Sequence, residues 1–144
     1  MTGKDFTFQQ LFLRLAISVT MLSAVADRFG FWGDNSAWGN WENFEKYTRQ
    51  LTFFLPETLS TFSAYGATFL EILFPLMLIL GFKIKIAAYG TGFLLLAFAL
   101  SMSIALGIKA PLDYSVWVGS AAAFLLATLD KFPLSIDELL SKNN

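Results

Sequence analysis

The sequence predicts an all-α polytopic membrane protein: four spanning helices in a bundle, with an extra amphipathic helix in the long loop between spans one and two. Three observations predict it. Of 144 residues, 56% are hydrophobic and only 15% are charged, with a mean hydropathy of +0.58, too apolar a balance for a water-soluble domain of this size. The apolar residues gather into four runs, residues 6–26, 59–81, 86–108 and 111–129, each at or near the roughly 20 residues that cross a ~30 Å hydrocarbon core. The runs are continuous, without the alternation of barrel strands, so helices satisfy their backbone in lipid.

The first run carries one charge, Arg14, on a helix face shared with Thr7, Gln10 and Ser18. Residues 15–26 also fit the apolar core of a secretory signal ending in the small-x-small triplet Ala24-Val25-Ala26. We read the segment as an uncleaved helix. The second run also has one charge, Glu71, followed four residues later by Pro75. Proline has no N–H, so the Glu71 carbonyl loses its helical donor and a kink is expected there.

No charge interrupts the third run, where Ala88 and Gly92 form one small pair. In the fourth, Pro111 suits a first helical turn, and Ser115, Gly119, Ala123 and Ala127 recur at i+4. Such a small-residue stripe admits a neighbouring backbone, within the chain or between subunits.

Between the first two runs lie residues 27–58, long enough to hold structure of their own. Asn40 suits an N-cap, and Trp41, Phe44, Leu51 and Leu55 follow at helical spacing, predicting an amphipathic helix over residues 41–54. Two acid-before-base pairs at i,i+4, Glu42 with Lys46 and Glu45 with Arg49, favour it. It is expected at the interface or over the bundle mouth, with Trp32, Trp38 and Trp41 at headgroup depth.

Lys83 and Lys85 crowd the short connection between the second and third runs, and Lys4, Lys131 and Lys142 fall on the same side. Arg28, Lys46, Arg49 and Lys109 are spread thinly over the other side among six acids. Both termini are therefore expected in the cytoplasm, with the protein in a bacterial inner membrane.

Counting at 1.5 Å per residue puts Arg14 roughly 12 Å from the start of its helix and Glu71 roughly 15 Å from the cytoplasmic end of its own. Each charge is costly alone in lipid, so an Arg14/Glu71 ion pair is expected. Two roles stay open for it: a fixed pair that sets helix packing, or a proton or ligand station. Asp27, Arg28, Lys109, Asp113 and Tyr114 are expected together in an outer polar cluster, with interfacial charge pairing as its simplest role.

With no cysteine and no histidine, disulfides, thiol redox chemistry, haem and zinc are not expected. A formal charge of −1 gives no field for nucleic acid. No residue presents itself as catalytic. Any redox role would need a bound organic cofactor or a partner.

Four short spans, an early arginine in LFLRLAISV, and a glutamate followed by a glycine and basic residues in FLEILFPLMLILGFKIKIAA together resemble the DoxX family. Many members carry glycines soon after that glutamate, where this chain has Ile72, Leu73, Phe74 and Pro75. The resemblance matches Arg14 and Glu71 to the family's intramembrane polar positions. It implies an accessory subunit of a larger membrane complex, associated with other membrane subunits or with copies of itself. The alternatives are a small subunit of a thiosulfate:quinone oxidoreductase and, third, a transporter or proton relay; a quinone or a lipid is the ligand the resemblance implies.

Overall fold

The computed structural model describes residues 6–142; Lys4, expected on the cytoplasmic side, lies outside them. Every regular element among the described residues is helical: α1 (Thr7–Arg28), α2 (Trp41–Leu51), α3 (Glu57–Leu80), α4 (Ile84–Leu106), α5 (Lys109–Asp113), α6 (Val116–Ala127) and α7 (Ile136–Lys142), with a 3₁₀ turn at Gly33–Asn35. Three of them, α1, α3 and α4, are long and apolar enough to cross a membrane, and α6 is a shorter apolar helix.

Packing follows the positions of small and polar residues. The inner face of α3 is Ser60, Ala64, Thr68, Glu71, Pro75 and Leu78, a seven-residue repeat that keeps one edge toward its neighbours. α1 packs along this edge, with the Ser18 hydroxyl donating to the Pro75 carbonyl over 3.2 Å. Pro75 is buried inside α3, which continues through it as one helix.

The closest pairing is α4 with α6. Ser120 donates to the Gly92 carbonyl over 2.8 Å, and a Cβ on Gly92 would meet the Phe124 ring at 2.8 Å. Ala123 and Ala127 are buried in the same core as Ala87 and Ala88, and Gly119 faces Leu95 of α4. The small stripe from Gly119 to Ala127 therefore packs within the chain. Ser115 does not join it, because it is exposed and sits in the left-handed region ahead of α6 (φ 56°).

Two expected boundaries need correction. The apolar run over residues 111–129 is not one helix: Tyr114 and Ser115 divide it into α5 and α6. The amphipathic helix expected over 41–54 stops at Leu51, since Thr52 takes the cap position and the chain turns through Phe53 and Phe54 into Pro56. The residue before a proline is driven away from helical dihedrals, which ends α2 before Leu55. Its start is as expected, with the Asn40 side chain accepting from the Asn43 N–H at 2.9 Å. Phe44 and Leu51 are buried, and both i,i+4 ion pairs form.

The core cluster occupies the end of the bundle where α3 turns into α4, around Ile17, Leu78, Ile84 and Leu126. Large side chains elsewhere point outward, among them Phe12, Phe62, Phe69, Phe93 and Ile104. These are the lipid-contacting faces of an integral membrane protein.

Candidate functional site

Two arginines on α1 are almost wholly buried, and they meet different surroundings. Arg14 reaches the end of α3, where helical carbonyls have no N–H left to accept from. Its Nε donates to the Leu78 carbonyl at 2.8 Å and one terminal nitrogen to Ile79 at 3.1 Å. The other donates to the Leu134 carbonyl at 3.3 Å and to Gln10 Oε1 at 3.2 Å. A cation here also opposes the negative end of the α3 dipole.

Glu71 is bound by Arg28. The Arg28 guanidinium donates to Glu71 Oε2 at 2.5 Å and to the Thr68 hydroxyl at 2.6 Å. Its plane lies over the Phe44 ring at 3.8 Å and near Trp38 at 5.6 Å. The expected pairing of Glu71 with Arg14 is thus replaced by one with Arg28. The reason is side-chain direction. Side chains of a helix tilt toward its N-terminus, so Arg14 reaches toward the Leu80 end of α3, away from Glu71. Arg28, at the last position of α1, reaches back into the bundle and meets it.

The expected outer cluster separates in the same way. Asp27 accepts the backbone N–H groups of Ala37, Trp38 and Gly39 at 2.7, 2.8 and 3.1 Å, pinning the loop over the end of α1. Lys109 and Asp113 bond to each other on the exposed side of α5, and neither pairs with Asp27 or Arg28 among the described residues. With the Asp27 oxygens filled by backbone and Arg28 turned inward, no charge is left for α5 to meet.

Between α1, α3, α4 and α6, under α2, lies a cavity of about 1030 Å³. Arg28, Glu71, Trp38, Tyr47 and Tyr114 line its polar part, and residues such as Ile17, Met21, Leu94 and Phe98 line the rest. Burial, with a smaller contribution from Tyr114, raises the pKa of the Tyr47 phenol, keeping it a proton-bearing donor. Arg28 Nε is buried without a partner, and Glu71 Oε1 has no donor among the described residues. The site thus offers its cavity one unused acceptor, and the unused donor beside it has almost no accessible surface.

The DoxX family model matches residues 9–104, well over half of the chain. The chain belongs to the DoxX family. The matched segment holds most of α1, all of α2 and α3 and most of α4, with both arginines and Glu71. No curated protein and no solved structure matches the chain.

Several contributors escaped the sequence reading. Thr68 and Phe44 complete the surroundings of Arg28, and only the fold brings them there. The segment after α6 had a local signal. Ser135-Ile-Asp-Glu138 is a capping-box spacing, and the Ser135 hydroxyl does accept the Glu138 N–H at 3.0 Å. This segment supplies the Leu134 and Pro133 carbonyls to Arg14 and Gln10. Asp137 accepts the Lys83 and Ile84 N–H groups at 2.8 and 2.9 Å, capping α4 from a distance.

Proposed function

We propose that this DoxX-family protein is a ligand-holding accessory subunit of a larger, redox-linked assembly in a bacterial inner membrane. The observation that carries the reading is the outer cavity, whose apolar walls meet a charged pair with hydrogen-bonding capacity to spare. Sites for small lipophilic molecules have this character: a mostly apolar pocket with a few convergent polar groups. With neither thiol nor imidazole in the chain, electrons and nucleophiles would come from the ligand or a partner. The same cavity favours a second reading, a quinone-linked small subunit of the thiosulfate:quinone type, in which Glu71 beside the bound ring handles protons.

In this reading α5 and α6, divided at Tyr114 and Ser115, together make the fourth crossing, and both termini lie in the cytoplasm. Cysteines placed at Asn35 and Ser141, in a chain that has none of its own, label from opposite faces of sealed vesicles. Labelling of both from one face would overturn the four-span topology, and labelling at Asn35 from the cytoplasmic face would overturn the orientation. The accessory role is tested by purifying the chain in mild detergent, identifying what copurifies, and assaying it with thiosulfate and a soluble quinone. A stoichiometric membrane partner supports it. Sustained turnover by the isolated chain, abolished by Glu71→Gln, overturns it in favour of the enzyme.

A further inference from the structure

Arg28 and Glu71 close their charges on each other, 2.5 Å apart, with both side chains almost wholly buried at the cavity wall. A molecule with an anionic head group would have to take the guanidinium from Glu71, leaving a buried carboxylate without a countercharge. A cationic one would strip Glu71 from Arg28 with the same result. An uncharged head group disturbs neither. What the pair leaves open to the cavity is the second oxygen of Glu71, while the Arg28 Nε–H is buried and unpartnered. A hydroxyl is the smallest uncharged group that answers that oxygen, donating its proton to it. The remaining cavity, about 1030 Å³ with apolar walls on α1, α4 and α6, has room for a hydrocarbon body.

Resting on the ligand-holding reading, we propose that this cavity binds an uncharged amphiphile whose polar end is an alcohol or a phenol, its hydroxyl donating to Glu71 beside Arg28, and that it discriminates against anionic lipids. The pair acts as a charge filter because it is complete without the ligand. The sign of the filter is set by Glu71. With Glu71→Gln the guanidinium loses its counterion, and the preference turns toward carboxylates.

The experiment uses the full chain in mild detergent with two probes of equal chain length, hexadecanol and palmitate. Binding is read as the rise in melting temperature with probe concentration and as the change in fluorescence of the tryptophans, of which Trp38 lines the cavity. Hexadecanol should bind at least tenfold more tightly than palmitate, and Glu71→Gln should reverse that order. If Glu71→Gln does not fold, Ala97→Phe, on the α4 wall of the cavity, serves instead and should weaken hexadecanol binding at least tenfold. Palmitate binding as well as or better than hexadecanol in the unsubstituted protein overturns the inference while leaving the cavity a ligand site. Absence of binding by both probes overturns the inference and the ligand-holding reading together, and undiminished hexadecanol binding in Ala97→Phe overturns the location.

Discussion

The two ends of the bundle solve one problem in opposite ways. At the α3–α4 turn a buried cation, Arg14, is surrounded by neutral carbonyl oxygens from α3 and from the chain beyond α6, and the space around it is filled by the core cluster. At the far end a second cation, Arg28, is neutralised by a carboxylate, stacked on an aromatic ring and set against a cavity. Arg14 is used up by the fold: all three guanidinium nitrogens have acceptors. Arg28 is not, since its Nε remains unpartnered. Buried polar groups are normally satisfied; Thr91 Oγ1 on α4 is another exception, and what sets Arg28 apart is that it borders the cavity.

The sharpest way to break the comparison is to remove Glu71. Glu71→Ala leaves Arg28 buried and unpaired, and a loss of about 3–5 kcal/mol is expected from chemical denaturation in detergent. Arg28→Met with Glu71→Leu should recover most of that stability, because the cost lies in the orphaned charge. Glu42→Ala, which removes an exposed pair, should change nothing measurable. If Glu71→Ala unfolds no earlier than Glu42→Ala, the outer pair does not hold the helices.

Arg14→Leu tests the other end. It leaves the Leu78, Ile79 and Leu134 carbonyls without this donor, at about 1–3 kcal/mol for each group left unsatisfied. Arg14→Lys should rescue only part, since an ammonium lacks the guanidinium fork. Both variants should speed proteolysis near residues 130–135 and leave the outer cavity's ligand affinity unchanged. An equal effect on both ends would erase the distinction between them.

A smaller effect is expected at Gly81, where the C-cap of α3 has a φ of 72° and an added Cβ would fall 2.4 Å from Ser135 Cβ. Gly81→Ala combines left-handed strain of about 1–2 kcal/mol with overpacking of about 1–3 kcal/mol, read as a lower denaturation midpoint. Least is expected from Glu45 on α2. The Thr61 hydroxyl, followed by Arg49, holds its carboxyl below the ordinary value. The folded pKa is depressed, so the stabilisation is present above the unfolded value and is lost as pH falls through the folded one. Amide exchange in α2 should accelerate at that acidic end in the wild type and much less in Glu45→Gln.

How much of this was legible follows from what local sequence encodes. The Asn40 cap and the ion pairs of α2 depend on residues three or four apart, and they stand where the spacing put them. The partner of Glu71 did not, because counting residues gives the depth of a Cα and omits the direction of a long side chain. The sequence reading puts Arg28 in an outer cluster with Asp27, Lys109, Asp113 and Tyr114, and its tilt toward the N-terminus carries it into the bundle instead. The break at Tyr114 and Ser115 left no mark in an apolar run read for length alone. In Ser135-x-x-Glu138 the mark was present, in a segment read only for its charges.

The segment that completes Arg14 has one further consequence, and it concerns time. Arg14 and Gln10 receive their Leu134 and Pro133 carbonyls across 120 and 123 residues of chain. At about 5–20 residues per second, the ribosome makes those carbonyls roughly 6–25 s after the arginine that needs them. The Leu78 and Ile79 carbonyls come sooner, 64 and 65 residues on. Through that interval the first helix waits in or beside the membrane with a guanidinium only partly matched. Its last partners are made only after α6, so a nascent chain cut short before residue 133 would leave that mismatch standing.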